Sequence, residues 1–420
     1  MTTMPPAPGL GAPLTPEQEQ IIRDTLPVVG EHIDQIAPLF YSKMFAQHPE
    51  LLRDTFNRGN QAQGAQQKAL AASVATYATL LVTPDAPDPK DLLGRIGHKH
   101  VSLGICEDQY GIVHENLMAA IGEVLGDAVT PPVADAWSAV YWNMAKVLID
   151  FETELYEAAG VEPGDVFRTA RVVDRVEEST SVTTFTLSGL DGDLPGFLPG
   201  QYISVGAPMA DGARQLRQYS LTEAPGTGRW RFSVKRVEAS DASPEGEVST
   251  WLHQNLKVGD QLEVTLPYGD LTLDTSSDAP VVLVSAGIGA TPMLGMLHHL
   301  ADRQPERRAR VIHADIDGAD AALVDEMAGL VGRIAGGSTL SLWFEQGADA
   351  KQGLVGERVS VSTGRVELTA EDVAGDAEIY LCGPAGFLQA VTERLSALGV
   401  GESRVHVELF TPNDWLLPSA

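Results

Sequence analysis

Residues 281–300 read VVLVSAGIGATPMLGMLHHL, an apolar run that leads through a glycine-containing turn into a helical pattern. The opening VVLV is typical of a buried strand. Gly287 and Gly289 would let the backbone approach a phosphate closely, and Pro292 suits the first turn of a helix. The turn lacks the complete G-x-G-x-x-G fingerprint, so taken alone it is weak evidence for a nucleotide site.

The alternation of strand and helix continues on both sides of this segment. Strands are predicted at 281–285, 309–313, 378–381 and 404–410, and helices at 292–300, 319–334 and 385–398. Strands that alternate with helices usually form a parallel sheet. We therefore predict a doubly wound α/β nucleotide-binding domain over residues 276–420.

The preceding residues, 161–275, have a different texture. Short β-rich runs at 167–176, 182–187, 202–206, 215–221, 229–237 and 261–264 are separated by Gly, Pro and Asp turns. This pattern predicts a small antiparallel β-barrel.

Residues 15–160 instead carry apolar residues at helical spacing, with helices predicted near 15–29, 31–47, 62–82, 89–103, 107–126 and 132–158. The fold class is therefore multidomain α and α/β: an all-α N-terminal domain, a central antiparallel barrel and a C-terminal doubly wound domain. A flexible tail is expected over residues 1–14.

Charge and composition exclude several classes of function. The chain has 420 residues, a formal net charge of −28 and two cysteines. A polyanion such as a nucleic acid or an anionic membrane surface would be repelled. Two cysteines cannot staple a secreted fold, and no run approaches the length of a membrane span. We expect a cytoplasmic protein that has no membrane span and does not bind nucleic acid.

The barrel carries a candidate flavin strand, Arg217-Gln218-Tyr219-Ser220. Its arginine could pair with a phosphate, its tyrosine could lie against an isoalloxazine ring, and its serine could approach the N5 edge. Alone, the tetrapeptide is better explained as a surface strand. Tyr202 brings a second aromatic residue, and 246–252 reads as a turn opening a helix, which is a natural pyrophosphate site.

Together with 380–387, these motifs resemble the ferredoxin-reductase family of flavoproteins from about residue 166 to residue 410. The resemblance implies that FAD is bound by Tyr202; Arg217, Gln218, Tyr219 and Ser220; Val248 and Ser249; and Glu408, Leu409, Phe410, Thr411 and Pro412. Phe410 is expected to cover the flavin. The resemblance also implies a nicotinamide nucleotide on Gly287, Ile288, Gly289, Ala290, Thr291 and Pro292, with Cys382, Gly383 and Pro384 beside its ring. A buried structural thiol is nevertheless the commoner role for a single cysteine such as Cys382.

The helical domain offers a candidate haem ligand. At 100° per residue, His100 shares an apolar face with Leu93 and Ile96, whereas His98 points the opposite way and is expected to be solvated. A single histidine on an apolar face is more often a core residue than a ligand. Gln66 and Tyr41 also lie on apolar stripes, where each would need a polar partner.

These helices resemble the globin domain of flavohaemoglobins, and the fusion order matches as well. The segments that carry the resemblance are 40–45, 48–51, 56–61, 66–70, 98–103 and 109–113. The resemblance implies that His100 is the proximal iron ligand and that Tyr41 is the distal hydrogen-bond donor. It also implies a distal pocket completed by Gln66 and Leu70, a porphyrin wedge at Phe56, and a proximal polar network of Lys99, Tyr110 and Glu154. Periodicity does not choose between Glu152 and Glu154; the resemblance alone selects Glu154.

The activity implied is nitric oxide dioxygenation by a monomer with haem b and FAD. NAD(P)H reduces FAD, FAD reduces the haem iron, and nitric oxide and oxygen become nitrate; a lipid could occupy the distal pocket. Two alternatives stay open: a haem-based oxygen or redox sensor, and a reductase of lipid hydroperoxides or ferric iron.

NADH is favoured over NADPH, because Asp315 and Asp317 follow the second strand and would repel a 2′-phosphate. NADPH stays open as an alternative, since the side chain of Arg308 or Arg310 could reach a 2′-phosphate from nearby. Asp317-Gly318 is also an ordinary turn sequence.

Overall fold

The computed structural model describes residues 11–62, 64–83, 89–240, 244–334 and 337–410. Most of the predicted N-terminal tail therefore lies outside the described residues. The described chain falls into two compact units. One unit contains residues 11–167 and 208–217, and the other contains residues 168–207 and 218–410.

The first unit is helical. Its helices are α1 (Pro16–Glu31), α2 (Ile33–Gln47), α3 (Pro49–Asp54), α4 (Arg58–Ala62), α5 (Ala65–Val82), α6 (Pro89–Val101), α7 (Glu107–Leu125) and α8 (Pro131–Ala159). Thr15 and Gln18 form a reciprocal capping box that starts α1. The short helices α3 and α4 were not among the sequence predictions.

One core joins these helices, with α6 packed on α8 and α2 on α7. Phe40, Met44, Tyr77, Leu93 and Trp137 are almost fully buried in it. Burial of each such side chain contributes about 1.5–3 kcal/mol. The packing brings α2 and α5, which carry the predicted distal residues, into the same core as α6 and α8.

The second unit begins with a curled antiparallel sheet. Among the described residues the strands of this sheet are β1 (Phe167–Glu177), β2 (Val182–Gly189), β3 (Tyr202–Pro208), β4 (Arg214–Ser220), β5 (Arg229–Lys235) and β6 (Gln261–Thr265), in the order β4-β3-β6-β1-β2-β5. Phe167 at the start of β1, Pro208 at the end of β3 and residues 214–217 of β4 belong to the first unit. The register of β1 shifts between Val172 and Asp174, and such a bulge bends a strand. Helix α9 (Glu247–Asn255) lies beside β5.

The rest of this unit is a parallel sheet. Its described strands are β7 (Val281–Ala286), β8 (Ala309–Asp317), β9 (Thr339–Gln346), β10 (Val359–Thr363), β11 (Glu378–Cys382) and β12 (Val405–Glu408), in the order β10-β9-β8-β7-β11-β12. The helices are α10 (Ala290–Arg303), α11 (Val324–Arg333) and α12 (Ala385–Ala397). The fold-class prediction is confirmed, although β9 and β10 were missed.

The order of the parallel strands locates a ligand site. The chain moves outward from β7 through β8 to β10, then returns to the other side of β7 with β11. Ligands of doubly wound sheets bind beyond the carboxyl ends of the strands at such a reversal.

Helix α11 starts later than predicted, after Leu323, whose φ of 66° interrupts the helix. None of the helices in the described ranges is long and apolar enough to cross a membrane.

Candidate functional site

The proximal side of the helical unit is a hydrogen-bonded cluster around His100. Nδ1 of His100 lies 2.8 Å from Oε1 of Glu152 and 3.1 Å from the hydroxyl oxygen of Tyr110. The Tyr110 hydroxyl donates to the same Glu152 oxygen at 2.5 Å. A proton on Nδ1, held by the carboxylate, leaves the lone pair on Nε2 for a ligand. Among the hydrogen bonds of the described residues, none involves Nε2.

Glu152, and not Glu154, completes this cluster. Glu152 is 3% exposed, whereas Glu154 is exposed and pairs with Lys90, with Nζ 3.1 Å from Oε1. The prediction that placed Glu154 in the proximal network is therefore wrong. The two positions are 200° apart on α8, so only one can face α6. Burial, followed in importance by the charge of Glu152, raises the pKa of Tyr110 well above its usual value.

The neighbours of His100 on α6 face elsewhere. His98 contacts Phe151, with ring centroids 5.5 Å apart, and is half-buried rather than solvated as expected. Lys99 is exposed, and its carbonyl accepts a hydrogen bond from Ser102. Membership of Lys99 in the proximal network stays a prediction.

The distal side is built around Tyr41 on α2. Its hydroxyl is buried and donates to the backbone carbonyl of Gln66 over a long 3.4 Å. Burial raises the pKa of Tyr41 above its usual 10.0, and a hydrogen bond from Gln61 lowers it again in part. The hydroxyl therefore stays protonated and can donate. Its ring lies 5.9 Å from that of Phe56, the residue predicted to wedge the porphyrin.

Gln61 is a polar residue of this pocket that the sequence patterns did not single out. Its amide donates to the side-chain oxygen of Gln66 at 2.9 Å, and its own oxygen accepts from Gln67 at 3.0 Å. An apolar cavity of the same core reaches Leu70, one turn along α5 from Gln66; it is lined by Val29, Ile33, Ile36, Ala37, Leu70, Val74, Leu117, Ile121 and Trp137. Helix α5 therefore carries a polar residue of the predicted pocket and, one turn later, a residue that lines an apolar cavity.

The predicted flavin residues occupy neighbouring strands of the antiparallel sheet. The Gln218 amide on β4 donates to the Ser204 hydroxyl on β3 at 2.9 Å, and Ser220 is buried. Tyr219 packs on Phe232 with ring centroids 5.5 Å apart. Tyr202, on β3, exchanges two backbone hydrogen bonds with Tyr268.

The remaining predicted flavin residues lie on two other segments. Val248 and Ser249 are buried in the first turn of α9, and the Ser249 hydroxyl donates to the Gly246 carbonyl at 3.1 Å. Glu408 ends β12 beside Cys382, and Leu409 is buried. Phe410 is 48% exposed. Thr411 and Pro412 lie outside the described residues.

The nucleotide motifs meet at the reversal point of the parallel sheet. A Cβ added to Gly289 would lie 2.4 Å from the carbonyl oxygen of Cys382, so only glycine fits there. Gly287 adopts a φ of +52°. The Thr291 hydroxyl donates to the Ile288 carbonyl at 3.0 Å, which closes the turn that leads into α10. A turn entering a helix N-terminus suits a pyrophosphate.

An acidic side chain lines the cleft beside this turn. Asp315 borders it together with Gly287, Ile288 and Lys235, and burial raises the pKa of Asp315. Asp317 instead accepts from the amide of Ala319 at 2.9 Å and belongs to the turn.

Neither arginine considered for a 2′-phosphate reaches the cleft. Arg310 is paired with Asp372, with Nη2 2.6 Å from Oδ1. Arg308 precedes β8, about 30 Å from the end of that strand at 3.3 Å per residue.

Comparison with known proteins agrees with this arrangement. The globin family model matches residues 39–148, the oxidoreductase FAD-binding domain residues 169–273, and the oxidoreductase NAD-binding domain residues 283–393. Flavohemoproteins of Bordetella parapertussis and Deinococcus radiodurans are 42% and 41% identical over 405 and 412 residues. These alignments cover 94% and 96% of this chain and 98% and 99% of the relatives.

Solved structures show the same likeness. The flavohemoglobin of Malassezia yamatoensis, determined with bound FAD and heme, superposes with a TM-score of 0.81 at 32% identity; the match covers 94% of this chain and 99% of that one. The FAD- and NAD-binding domain of a nitric oxide dioxygenase from Vibrio cholerae matches 57% of this chain and 97% of its own, with a TM-score of 0.50 and 35% identity.

Fold and site thus define a globin joined to FAD- and NAD-binding oxidoreductase domains. The chain belongs to the flavohemoprotein family. It is an NAD(P)H-dependent oxidoreductase of modular construction. The matched ranges fall inside the predicted domains, whose boundaries at 15–160, 161–275 and 276–420 stay predictions.

Proposed function

We propose that this protein is a nitric oxide dioxygenase that binds haem b through His100, FAD on β3, β4 and α9, and NADH at the turn after β7. The observation that carries the proposal is the His100–Glu152–Tyr110 cluster. It supplies an imidazole whose Nδ1 is held by a buried carboxylate, which leaves Nε2 for a ligand. Histidine ligands of metals have this arrangement.

The residues present fit the cofactors. A carboxylate on Nδ1 fixes the ring orientation and tautomer and makes Nε2 a stronger donor to iron. Beyond β7, the close approach of Gly289 to Cys382 keeps the turn free of side chains where a dinucleotide would lie. When bound, haem supplies oxygen binding and one-electron redox chemistry, and FAD links it to the two-electron chemistry of the nicotinamide.

Around those groups, the residues of the chain orient the substrates. Tyr41 presents a neutral hydroxyl that can donate to an oxygen with partial negative charge. Its present acceptor, the Gln66 carbonyl at 3.4 Å, is weakly engaged, so little is lost when the hydroxyl turns to a substrate. Glu152 accepts hydrogen bonds from Nδ1 of His100 and from the Tyr110 hydroxyl, and so keeps both side chains oriented. On the reductase side, Ser220 would adjoin the flavin and Asp315 would accept a hydrogen bond from the adenosine ribose.

The apolar cavity beside Leu70 favours a second ligand class. Its nine lining residues are all apolar, so a ligand accepted there would be apolar, and this supports reduction of lipid hydroperoxides as a second candidate activity. A monomeric state and a cytoplasmic location, where reduced nicotinamide nucleotides are produced, complete the proposal.

The test is turnover of the purified protein, whose absorption spectrum should show haem and flavin together. Aerobic NADH-dependent consumption of nitric oxide, with nitrate as the product, is the expected result. A catalytic efficiency for a lipid hydroperoxide above that for nitric oxide would favour the second candidate. Ligand binding with no NADH-dependent turnover would favour a sensor and overturn the proposal.

The nucleotide preference has its own test. Since Asp315 would repel a 2′-phosphate, kcat/KM should be higher with NADH than with NADPH. Asp315→Asn should lower the ratio of kcat/KM with NADH to kcat/KM with NADPH. Asp317→Asn, a change at the neighbouring turn, should leave that ratio unchanged. An efficiency with NADPH equal to or above that with NADH in the unmodified protein would refute the assignment.

A further inference from the structure

Gln215 is an amide with no exposed surface at the beginning of β4, inside the helical unit. The hairpin tip formed by residues 208–217 lies against residues 52–58, where α3 ends and α4 begins. The Arg214 amide donates to Asp54 at 3.0 Å, and Arg58 pairs with Asp211 at 2.9 Å. None of these residues is among the predicted cofactor contacts.

The side-chain amide of Gln215 hydrogen-bonds to backbone groups at the end of α3 and at the start of α4. Nε2 donates to the carbonyls of Leu52, Arg53 and Phe56 at 3.2, 2.9 and 3.3 Å. Oε1 accepts from the backbone N–H of Arg58 at 3.3 Å. The last carbonyls and first N–H groups of helices have no partner within the helix, so a buried helix end needs such a group. Gln215 supplies it from a distant part of the chain.

The turn held in this way carries Phe56. The Phe56 ring packs edge-on against Phe45 at 5.3 Å and Tyr41 at 5.9 Å between ring centroids, so it forms part of the wall of the distal pocket. The backbone position of Phe56 therefore determines where that wall lies. A side chain that fixes the Phe56 carbonyl acts on the pocket without touching a ligand.

The same amide oxygen also contacts the flavin strand. Nη1 of Arg217 donates to Oε1 of Gln215 at 3.3 Å and to the Leu216 carbonyl at 2.7 Å. These bonds orient the guanidinium that is expected to meet a phosphate of FAD. One carboxamide thus contacts the backbone of a haem-pocket residue and the side chain of a flavin-site residue.

We propose that Gln215 is a positioning residue shared by the two cofactor sites, which orders the turn carrying Phe56 and the guanidinium of Arg217 through a single carboxamide. This inference rests on the proposed function for the roles of Phe56 and Arg217. The contacts of Gln215 themselves do not depend on it.

The test compares Gln215→Met, which keeps the length and apolar volume but has no hydrogen-bonding amide, with Gln304→Met as a matched control. Gln304 also donates to two carbonyls, those of Thr275 and Ser277, and accepts from an arginine, Arg307, but it lies in the second unit. Gln215→Asn, a shorter amide, serves as a milder variant should the methionine variant fold poorly.

Four measurements are made on the full-length protein. Hydrogen exchange at the Arg58 amide, which needs no cofactor, should become at least about fivefold faster in Gln215→Met, as expected when one buried hydrogen bond is lost. Haem transfer to an apo-globin acceptor should accelerate and the C–O stretching band of the ferrous carbon monoxide complex should shift. The FAD dissociation constant should rise by about five- to tenfold. Gln304→Met should leave all four quantities at their original values.

Unchanged Arg58 exchange in Gln215→Met would overturn the inference irrespective of any cofactor. Faster exchange with a change at only one cofactor would also overturn it, because the residue would not be shared. Failure of the unmodified protein to take up haem would instead refute the proposed function, while the exchange measurement would still report on Gln215.

Discussion

The two sides of the candidate haem pocket differ in how firmly their polar groups are hydrogen-bonded. On the proximal side, three polar groups lie within 3.1 Å of one another and share a carboxylate that is 3% exposed. On the distal side, one hydroxyl makes a hydrogen bond of 3.4 Å to Gln66, and the cavity that reaches Leu70 on the same helix has only apolar lining. The proximal groups satisfy one another's hydrogen-bonding needs, whereas the distal hydroxyl donates only a long, weak hydrogen bond.

This contrast separates the permanent from the transient parts of the site. A buried carboxylate that lost its partners would be costly, so the proximal cluster must stay assembled. A weakly engaged hydroxyl can change acceptor at little cost as substrates arrive. Changes on the proximal side should therefore alter the cofactor itself, and those on the distal side should alter substrate lifetimes.

The largest effect is expected from His100→Ala. Because it removes the nitrogen proposed to bind the iron, most bound haem should be lost, and the Soret absorbance per protein should fall accordingly. His98→Ala is the control, since His98 contacts Phe151 and should leave the spectrum normal. The reverse outcome would mean that the helical register of α6 is assigned incorrectly.

Glu152→Gln should have the next largest effect. An amide cannot provide the same charge to the imidazole, and losing such a partner typically costs about 10–100-fold in metal affinity or activity. The iron–histidine stretching frequency should fall along with kcat. Glu154→Gln disrupts only an exposed pair with Lys90 and should change neither quantity. Equal effects of the two variants would contradict the assignment of Glu152, and not Glu154, as the partner of His100.

Tyr41→Phe should leave haem content unchanged but speed oxygen release. Loss of one hydrogen bond in a buried site costs about 1–3 kcal/mol, which is roughly a 5- to 150-fold faster dissociation. Because burial raises the pKa of Tyr41 above 10.0, the unmodified protein should hold oxygen equally well from pH 6 to about 9. Stopped-flow oxygen dissociation measures both points, and an unchanged rate in the variant would exclude Tyr41 from the mechanism.

Gln61→Leu should have the smallest effect. Gln61 hydrogen-bonds to Tyr41 and Gln66 but is secondary to the tyrosine as a donor. Oxygen release should accelerate by about two- to fivefold, as for a neutral hydrogen bond. Combining it with Tyr41→Phe should add little, because both act on the same hydroxyl. Full additivity in the double variant would show that Gln61 contacts the substrate independently.

Sequence patterns revealed the elements with strong periodicity and left the short ones unseen. Helices such as α7 and α8 repeat the apolar spacing several times, so their existence could be predicted. In contrast, α3 has six residues and α4 has five, which is too short for a period to be recognised. Their ends are stabilised by Gln215, far away in sequence, and no local pattern carries that information.

The choice between Glu152 and Glu154 shows the same limit within one helix. Both residues border the apolar stripe of α8, and periodicity gives no reason to prefer either. The difference arises from what lies opposite: Tyr110 and His100 face one position, and Lys90 faces the other. The motif at 285–292 could be interpreted more fully, because a strand, a glycine turn and a helix follow one another directly.

The close approach of Gly289 to the Cys382 carbonyl has a consequence for directed evolution. The obstacle to any side chain at position 289 is a main-chain oxygen, 2.4 Å from where the Cβ would be. Trimming a neighbouring side chain therefore cannot rescue a substitution there, as it often can in a core. A saturation library at this position should return glycine alone among active clones. An alternative turn after β7 could be selected only if the backbone after β11 were redesigned with it. These two segments, distant in sequence, must therefore change together.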